Sequence, residues 1–131
     1  MATVTTAVLN DITGLIGNTG SKTAFTYLAV GTGTTAESAA HTQLVAETTT
    51  SGLERSTGTL TQQDTTHTKD TLQIVKTWTA SGSVTIAEVM MGNNATADTG
   101  TMAFREKLSA TKAVVSGDTY TLTAKLILID A

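Results

Sequence analysis

The sequence predicts an all-β protein: an antiparallel β-sandwich, jelly-roll-like, with a short N-terminal amphipathic helix or arm. Threonine, a β-branched residue that suits a solvated pleated face, makes up roughly a quarter of the chain. Apolar residues alternate with polar ones along several short segments, which is the period of a half-buried strand. Turn signals separate these segments about every 8–12 residues. The 131 residues are enough to build the core of one domain.

The first predicted element is the helix, because apolar residues recur at helical spacing between Thr3, a capping residue, and Gly17, a stop signal. A glycine-containing joint follows, so we divide the chain into an N-terminal segment, residues 1–21, and a β-sandwich domain, residues 22–131. We expect the apolar stripe to contact another subunit; the alternative is a helix packed on its own sandwich. The expected contact residues are Val4, Val8, Leu9, Ile12, Leu15 and Ile16.

Six strands follow in the prediction, and a short helical piece lies between the first two, at residues 37–47. The predicted strands span residues 25–30, 55–63, 72–79, 84–91, 101–108 and 120–129. The two with the clearest alternation should share one core, because their apolar faces match. This predicted core consists of Leu72, Ile74, Trp78, Leu122, Leu126 and Leu128. Of the pair Met90-Met91, we expect one side chain in the core and one at the surface or an interface.

Composition argues against several classes of function. The net charge is -3 and the eight basic residues are scattered, whereas proteins that bind nucleic acid cluster their Lys and Arg. No run of about 18 apolar residues exists, so the sequence predicts no membrane span. Cysteine is absent, which excludes disulfides, thiolate metal sites and cysteine nucleophiles.

Two segments carry candidate chemistry. Residues 31–36, GTGTTA, fit the relaxed dinucleotide fingerprint G-x-G-x-x-A, but that site needs a long helix and then a parallel strand. We interpret the segment as a structural turn. His67 lies near Asp64 and Asp70, and these residue types share divalent ions, yet the spacing matches no standard metal site. We interpret it as a solvated loop and predict a protein without catalytic residues, metal or cofactor.

The order of motifs resembles that of small structural proteins of tailed bacteriophages. In those proteins a strand ending in GxGTTA leads to xTxLxxE, and an arginine opens the next strand. The matching residues here are Gly31, Gly33, Thr34, Thr35, Ala36, Thr42, Leu44, Glu47 and Arg55. Later motifs of the type TIxE, TGxxxxR and xGD match residues 85–88, 99–105 and 116–118. The resemblance covers the chain from about Tyr27 onwards, although Val89-Met90-Met91 replaces the commoner Gly-Leu-Phe.

The resemblance implies a virion structural protein that is assembled in the host cytoplasm. We expect a capsid decoration or cement protein whose partner is the major capsid protein, with no nucleic-acid or membrane partner. We also expect a homo-oligomer, with a trimer favoured. One alternative is a tail, collar or baseplate structural protein. Another is a small β-sandwich module that binds a ligand or carbohydrate; such a module should expose aromatic rings, whereas the rings here fall mostly within predicted strands.

Overall fold

A computed structural model describes residues 2–130. These residues form one helix, α1 (Thr6–Gly17), and eight strands. The strands are β1 (Thr3–Val4), β2 (Tyr27–Gly31), β3 (Ser56–Thr57), β4 (Thr59–Gln63), β5 (Thr71–Thr79), β6 (Val84–Gly92), β7 (Met102–Val114) and β8 (Thr119–Ile127). A five-stranded sheet has the order β1-β7-β6-β2-β3, and a three-stranded sheet has the order β4-β5-β8. Every pairing is antiparallel, which confirms the predicted all-β, sandwich-like fold.

The main core lies between the two sheets and contains most of the predicted core residues. Ile74 and Trp78 of β5 are buried, and Leu122 and Leu126 of β8 pack against the same core, as predicted. The two strands also pair directly with each other. Trp78 also donates a hydrogen bond from Nε1 to the Glu54 carbonyl at 2.9 Å, so its polar atom is satisfied. Leu128 does not belong to this core, because β8 ends at Ile127 and the Leu128 side chain is 58% exposed.

The central strands of the five-stranded sheet are buried on both faces. Leu28 and Met91 point into the main core, whereas Ala29 and Met90 form a second small core on the opposite face with Leu44 and Met102. The expectation that one of Met90 and Met91 lies at a surface is therefore wrong, since both are fully buried. The second face is covered by the segment between β2 and β3, residues 32–55, which we call the covering segment.

That covering segment is irregular, so the prediction of a helical piece at residues 37–47 is wrong. The physical reason is that long-range partners take its backbone groups. The N–H groups of Val45 and Ala46 donate to the Glu88 carboxylate, and the Ala46 carbonyl accepts from Thr32 N–H. A backbone bound in this way cannot also make the i to i−4 hydrogen bonds of a helix.

The N-terminal segment packs on its own domain. β1 pairs with β7, and Val8 of α1 is fully buried in the main core. The cap is Thr5, not Thr3: its hydroxyl accepts from Val8 N–H at 3.3 Å and donates to the Met102 carbonyl. Asn18 ends the helix in the left-handed conformation, at φ 50°. Residues on both sides of the predicted boundary at residue 21 therefore contribute to one core.

Candidate functional site

The glycine motif after β2 surrounds a buried carboxylate. Glu88 of β6 is fully buried, and its Oε1 accepts from Gly33 N–H at 3.2 Å and Ala46 N–H at 2.7 Å. A Cβ on Gly33 would lie 2.6 Å from that oxygen, and one on Gly31 would lie 2.5 Å from the Ala46 carbonyl oxygen. The two glycines are thus needed for close approach. In the described part of the chain, residues 2–130, no long helix follows them and β2 pairs antiparallel with both neighbours, so the segment does not form a dinucleotide site.

Arg105 of β7 is the counter-ion of Glu88. Its Nε donates to Glu88 Oε2 at 2.6 Å, and both side chains have zero exposure. Arg105 Nη2 also donates to the Thr35 carbonyl at 3.0 Å, while Glu88 Oε2 accepts from Val45 N–H at 3.1 Å. This ion pair therefore joins β6 to β7 and holds residues 33–35 and 45–46 of the covering segment against them.

A second buried ion pair joins Arg55 to Glu47. Arg55 Nε donates to Glu47 Oε1 at 2.8 Å and Nη2 donates to Oε2 at 2.5 Å, and each side chain is 2% exposed. The adjacent Glu54 accepts a hydrogen bond from Gly52 N–H. Arg55 Nη1 donates hydrogen bonds to the carbonyls of Asn94 and Thr99, so this ion pair connects the covering segment to the loop before β7.

The histidine–aspartate loop is held together by its own backbone. Asp70 accepts hydrogen bonds from the backbone N–H groups of His67, Thr66 and Thr65, at 2.8–2.9 Å. These bonds, with that of His67 first, lower the pKa of Asp70 from 3.8 to about 2. His67 Nε2 lies 3.0 Å from Asp130 rather than beside the other loop carboxylates. No group of three or more His, Asp or Glu residues suited to a metal ion occurs within residues 2–130.

The six predicted contact residues differ in how far the structure exposes their side chains. Val8 is in the core and cannot reach a neighbour, and Ile12 is partly buried against the same core. Val4 is bound in the sheet through its backbone, although its side chain is 45% exposed. The other three side chains are also open to solvent: Leu9 is 58% exposed, Leu15 39% and Ile16 79%. The expectation that the stripe lies outside its own core is thus corrected at Val8 and Ile12.

The exposed end of α1 forms one wall of an apolar groove of about 320 Å³. The opposite wall comes from the three-stranded sheet, through Leu60, Leu126 and Leu128. Gln62, Lys69, Asp70 and Thr71 contribute its polar lining. The aromatic residues do not form a comparable binding surface, because Phe25, Trp78 and Phe104 are buried and Tyr27 and Tyr120 are half-buried. An apolar groove without exposed rings suits contact with apolar side chains better than stacking against sugars.

Comparisons with protein-family models, curated proteins and solved structures found no match to this chain. In the part of the chain that the structure describes, no helix is long and apolar enough to cross a bilayer.

Proposed function

We propose that the protein is a non-enzymatic structural component of a tailed-bacteriophage virion, and more specifically a decoration or cement protein that bridges capsid subunits. The observation that carries the proposal concerns the motif residues of the resemblance. Glu47, Arg55, Glu88 and Arg105 all belong to those motifs, and all four are buried in internal ion pairs. The charges of the motifs therefore organise a scaffold and are not available to act on a substrate.

The fold also suits a structural component of a particle. The Glu88–Arg105 pair fastens the segment between β2 and β3 to the larger sheet through hydrogen bonds with backbone groups of that segment. The Glu47–Arg55 pair lies within the segment and ties it to the loop before β7. The groove between α1 and the smaller sheet supplies apolar surface for a partner. We propose that this partner is an apolar segment of the major capsid protein, since contiguous exposed apolar surface commonly marks an interaction site.

Quantitative mass spectrometry of purified virions tests the proposal. A shell protein should be present in hundreds of copies per particle, because each capsid repeat offers a site. A handful to a few dozen copies would instead indicate the tail, collar or baseplate alternative. Complete absence from purified virions would refute both.

A groove variant tests the contact surface itself. Leu15→Ser combined with Ile16→Ser should weaken binding to capsids that lack the protein, because both side chains line the groove. The melting temperature should change little, since both positions are exposed. Val115→Ser is the matched control, because Val115 is 54% exposed but does not line the groove. Equal capsid binding by the groove variant and the control would refute the groove as the contact.

The ligand-binding alternative is favoured by one observation: the volume of the groove lies at the lower end of the range of small-molecule sites, about 300–1,000 Å³. Its apolar lining would select an apolar ligand rather than a sugar. Native mass spectrometry of the purified protein tests this alternative, which requires a co-purifying small molecule that is lost in the groove variant.

A further inference from the structure

The free edge of β8 carries an unused row of backbone hydrogen-bonding groups. Just beyond the two ends of the β5–β8 ladder, Ala80 N–H donates to the Asp118 carbonyl at 2.8 Å and Leu128 N–H donates to the Asp70 carbonyl at 2.9 Å. Hydrogen bonding alternates along an antiparallel pair. Even-numbered residues of β8 therefore direct their backbone groups at β5, and odd-numbered residues direct theirs away. Within residues 2–130, no strand pairs with this outer edge.

The edge is long and lightly protected. β8 has nine residues, no proline, and a single charged side chain at Lys125. Long open edges readily accept another strand, and proteins that must stay monomeric usually block them with bulges, prolines or several charges. The inner face of β8 is also incompletely covered, because Tyr120, Leu122 and Leu126 are only half-buried. An added strand would both satisfy the backbone groups and cover these side chains.

We infer that the occupant of this edge is β8 of a second copy of the chain, paired antiparallel about a two-fold axis at Thr123. This register uses all nine residues, since Thr123 is the middle of Thr119–Ile127. The odd-numbered Thr123 directs its backbone groups outward, so the two Thr123 residues exchange both backbone hydrogen bonds. The two three-stranded sheets then become one six-stranded sheet. The interface is isologous, which is the commonest symmetry of soluble homo-oligomers.

Side chains are compatible with this register. Lys125 lies opposite Thr121 of the partner subunit, so the two lysines do not face each other. Tyr120 lies opposite Leu126 of the partner subunit, which joins the two apolar inner faces. Pairs of this kind across an antiparallel ladder are favourable, whereas like charges directly opposite are destabilising.

Strand direction favours this dimer over a ring built through the same sheet. β4 and β8 both run antiparallel to β5, so they run in the same direction. A three-fold ring about an axis along the strands would place β8 beside β4 of the next copy in parallel. A two-fold axis instead gives an antiparallel pair, like every other strand pair in this chain. The inference refines the homo-oligomer part of the proposed function and departs from the trimer that the resemblance favours.

Light scattering and sedimentation of the purified chain test the inference, and because no virion is involved, the result is separate from that of the virion experiment. We expect a dimer of the 13.5 kDa chain. Thr123→Pro should give a folded monomer, because the N–H it removes makes no bond to β5. Gln62→Pro is the matched control on the free edge of β4: Gln62 pairs with Leu72, whose backbone groups face β8, so its own N–H points outward. This control should remain dimeric.

Charge variants test the register without relying on proline. Thr121→Lys should raise the dimer dissociation constant roughly 2- to 30-fold, because it creates two like-charge pairs with Lys125 of the partner subunit. Thr121→Glu should lower it by a similar factor. The chain has no cysteine, so Thr123→Cys introduces one thiol per copy. A short bis-maleimide, which adds one thiol at each end, should then cross-link the two copies of the dimer. A monomer or trimer in solution, dimerisation by Thr123→Pro, or the same response to both charges would overturn the inference.

Discussion

Glu88→Gln is the substitution that should reveal most about how this fold is held together. The carboxylate accepts four hydrogen bonds, from three backbone N–H groups at 2.7, 3.1 and 3.2 Å and from Arg105 Nε at 2.6 Å. A glutamine has only one acceptor oxygen, so its NH₂ group would face two donors. The Arg105 guanidinium, which has zero exposure, would also lose its counter-charge.

The expected cost is roughly 3–5 kcal/mol of the free energy of unfolding, since removing one partner leaves an uncompensated buried charge. For a chain of this size, that corresponds to a melting temperature lower by roughly 10–20 °C. Arg105→Met should cost less than Glu88→Gln, because the carboxylate keeps its three backbone donors. The double variant should be less destabilised than the sum of the single variants, because the two side chains interact directly.

Urea denaturation followed by far-UV circular dichroism measures these differences. Glu54→Gln is the matched control, because it makes the same chemical change on an exposed side chain and should stay within about 0.5 kcal/mol of the parent. If Glu88→Gln also stayed within that margin, the buried ion pair would not be holding the covering segment to the sheet, and the argument built on it would fail.

Three further substitutions or deletions test other parts of the fold. Trp78→Ala should cost roughly 3–5 kcal/mol in the same assay, because the ring is 4% exposed between the sheets; an unchanged midpoint would contradict its place in the core. The folded-state pKa of Asp70 is lowered from 3.8 to about 2, so its contribution to stability is complete above about pH 4 and is lost as the pH falls towards 2. Asp70→Asn should therefore flatten the pH dependence of the melting temperature in that window, and an unchanged slope would count against the loop geometry. Deleting residues 2–17 should unfold or aggregate the chain, because it removes β1 and the fully buried Val8; a soluble, folded product would show that this segment is dispensable.

The local sequence pattern was sufficient to locate the strands in which apolar and polar residues alternate strictly. The strands around Trp78 and Leu122 were placed to within one or two residues, and their shared core was predicted correctly, because a two-residue period depends only on neighbouring side chains. The boundary at Leu128 was missed because the apolar pattern continues past the point where the ladder with β5 ends. The helix was found for the same reason as the strands, although its cap lies two residues later than predicted.

The candidate site depended on contacts that no local pattern contains. Glu88 and Arg105 are 17 residues apart, and Glu47 and Arg55 are 8 apart, and neither spacing is a signal for pairing. The local feature of this site in the sequence is the pair of glycines at Gly31 and Gly33. Glycines allow another group to approach the backbone closely, but they do not identify that group as Glu88. The sequence by itself determined the fold class, because alternation, turn residues and capping act between near neighbours. The burial of two ion pairs, the irregular covering segment and the apolar groove were decided only by the tertiary structure, since each requires residues brought together from distant parts of the chain.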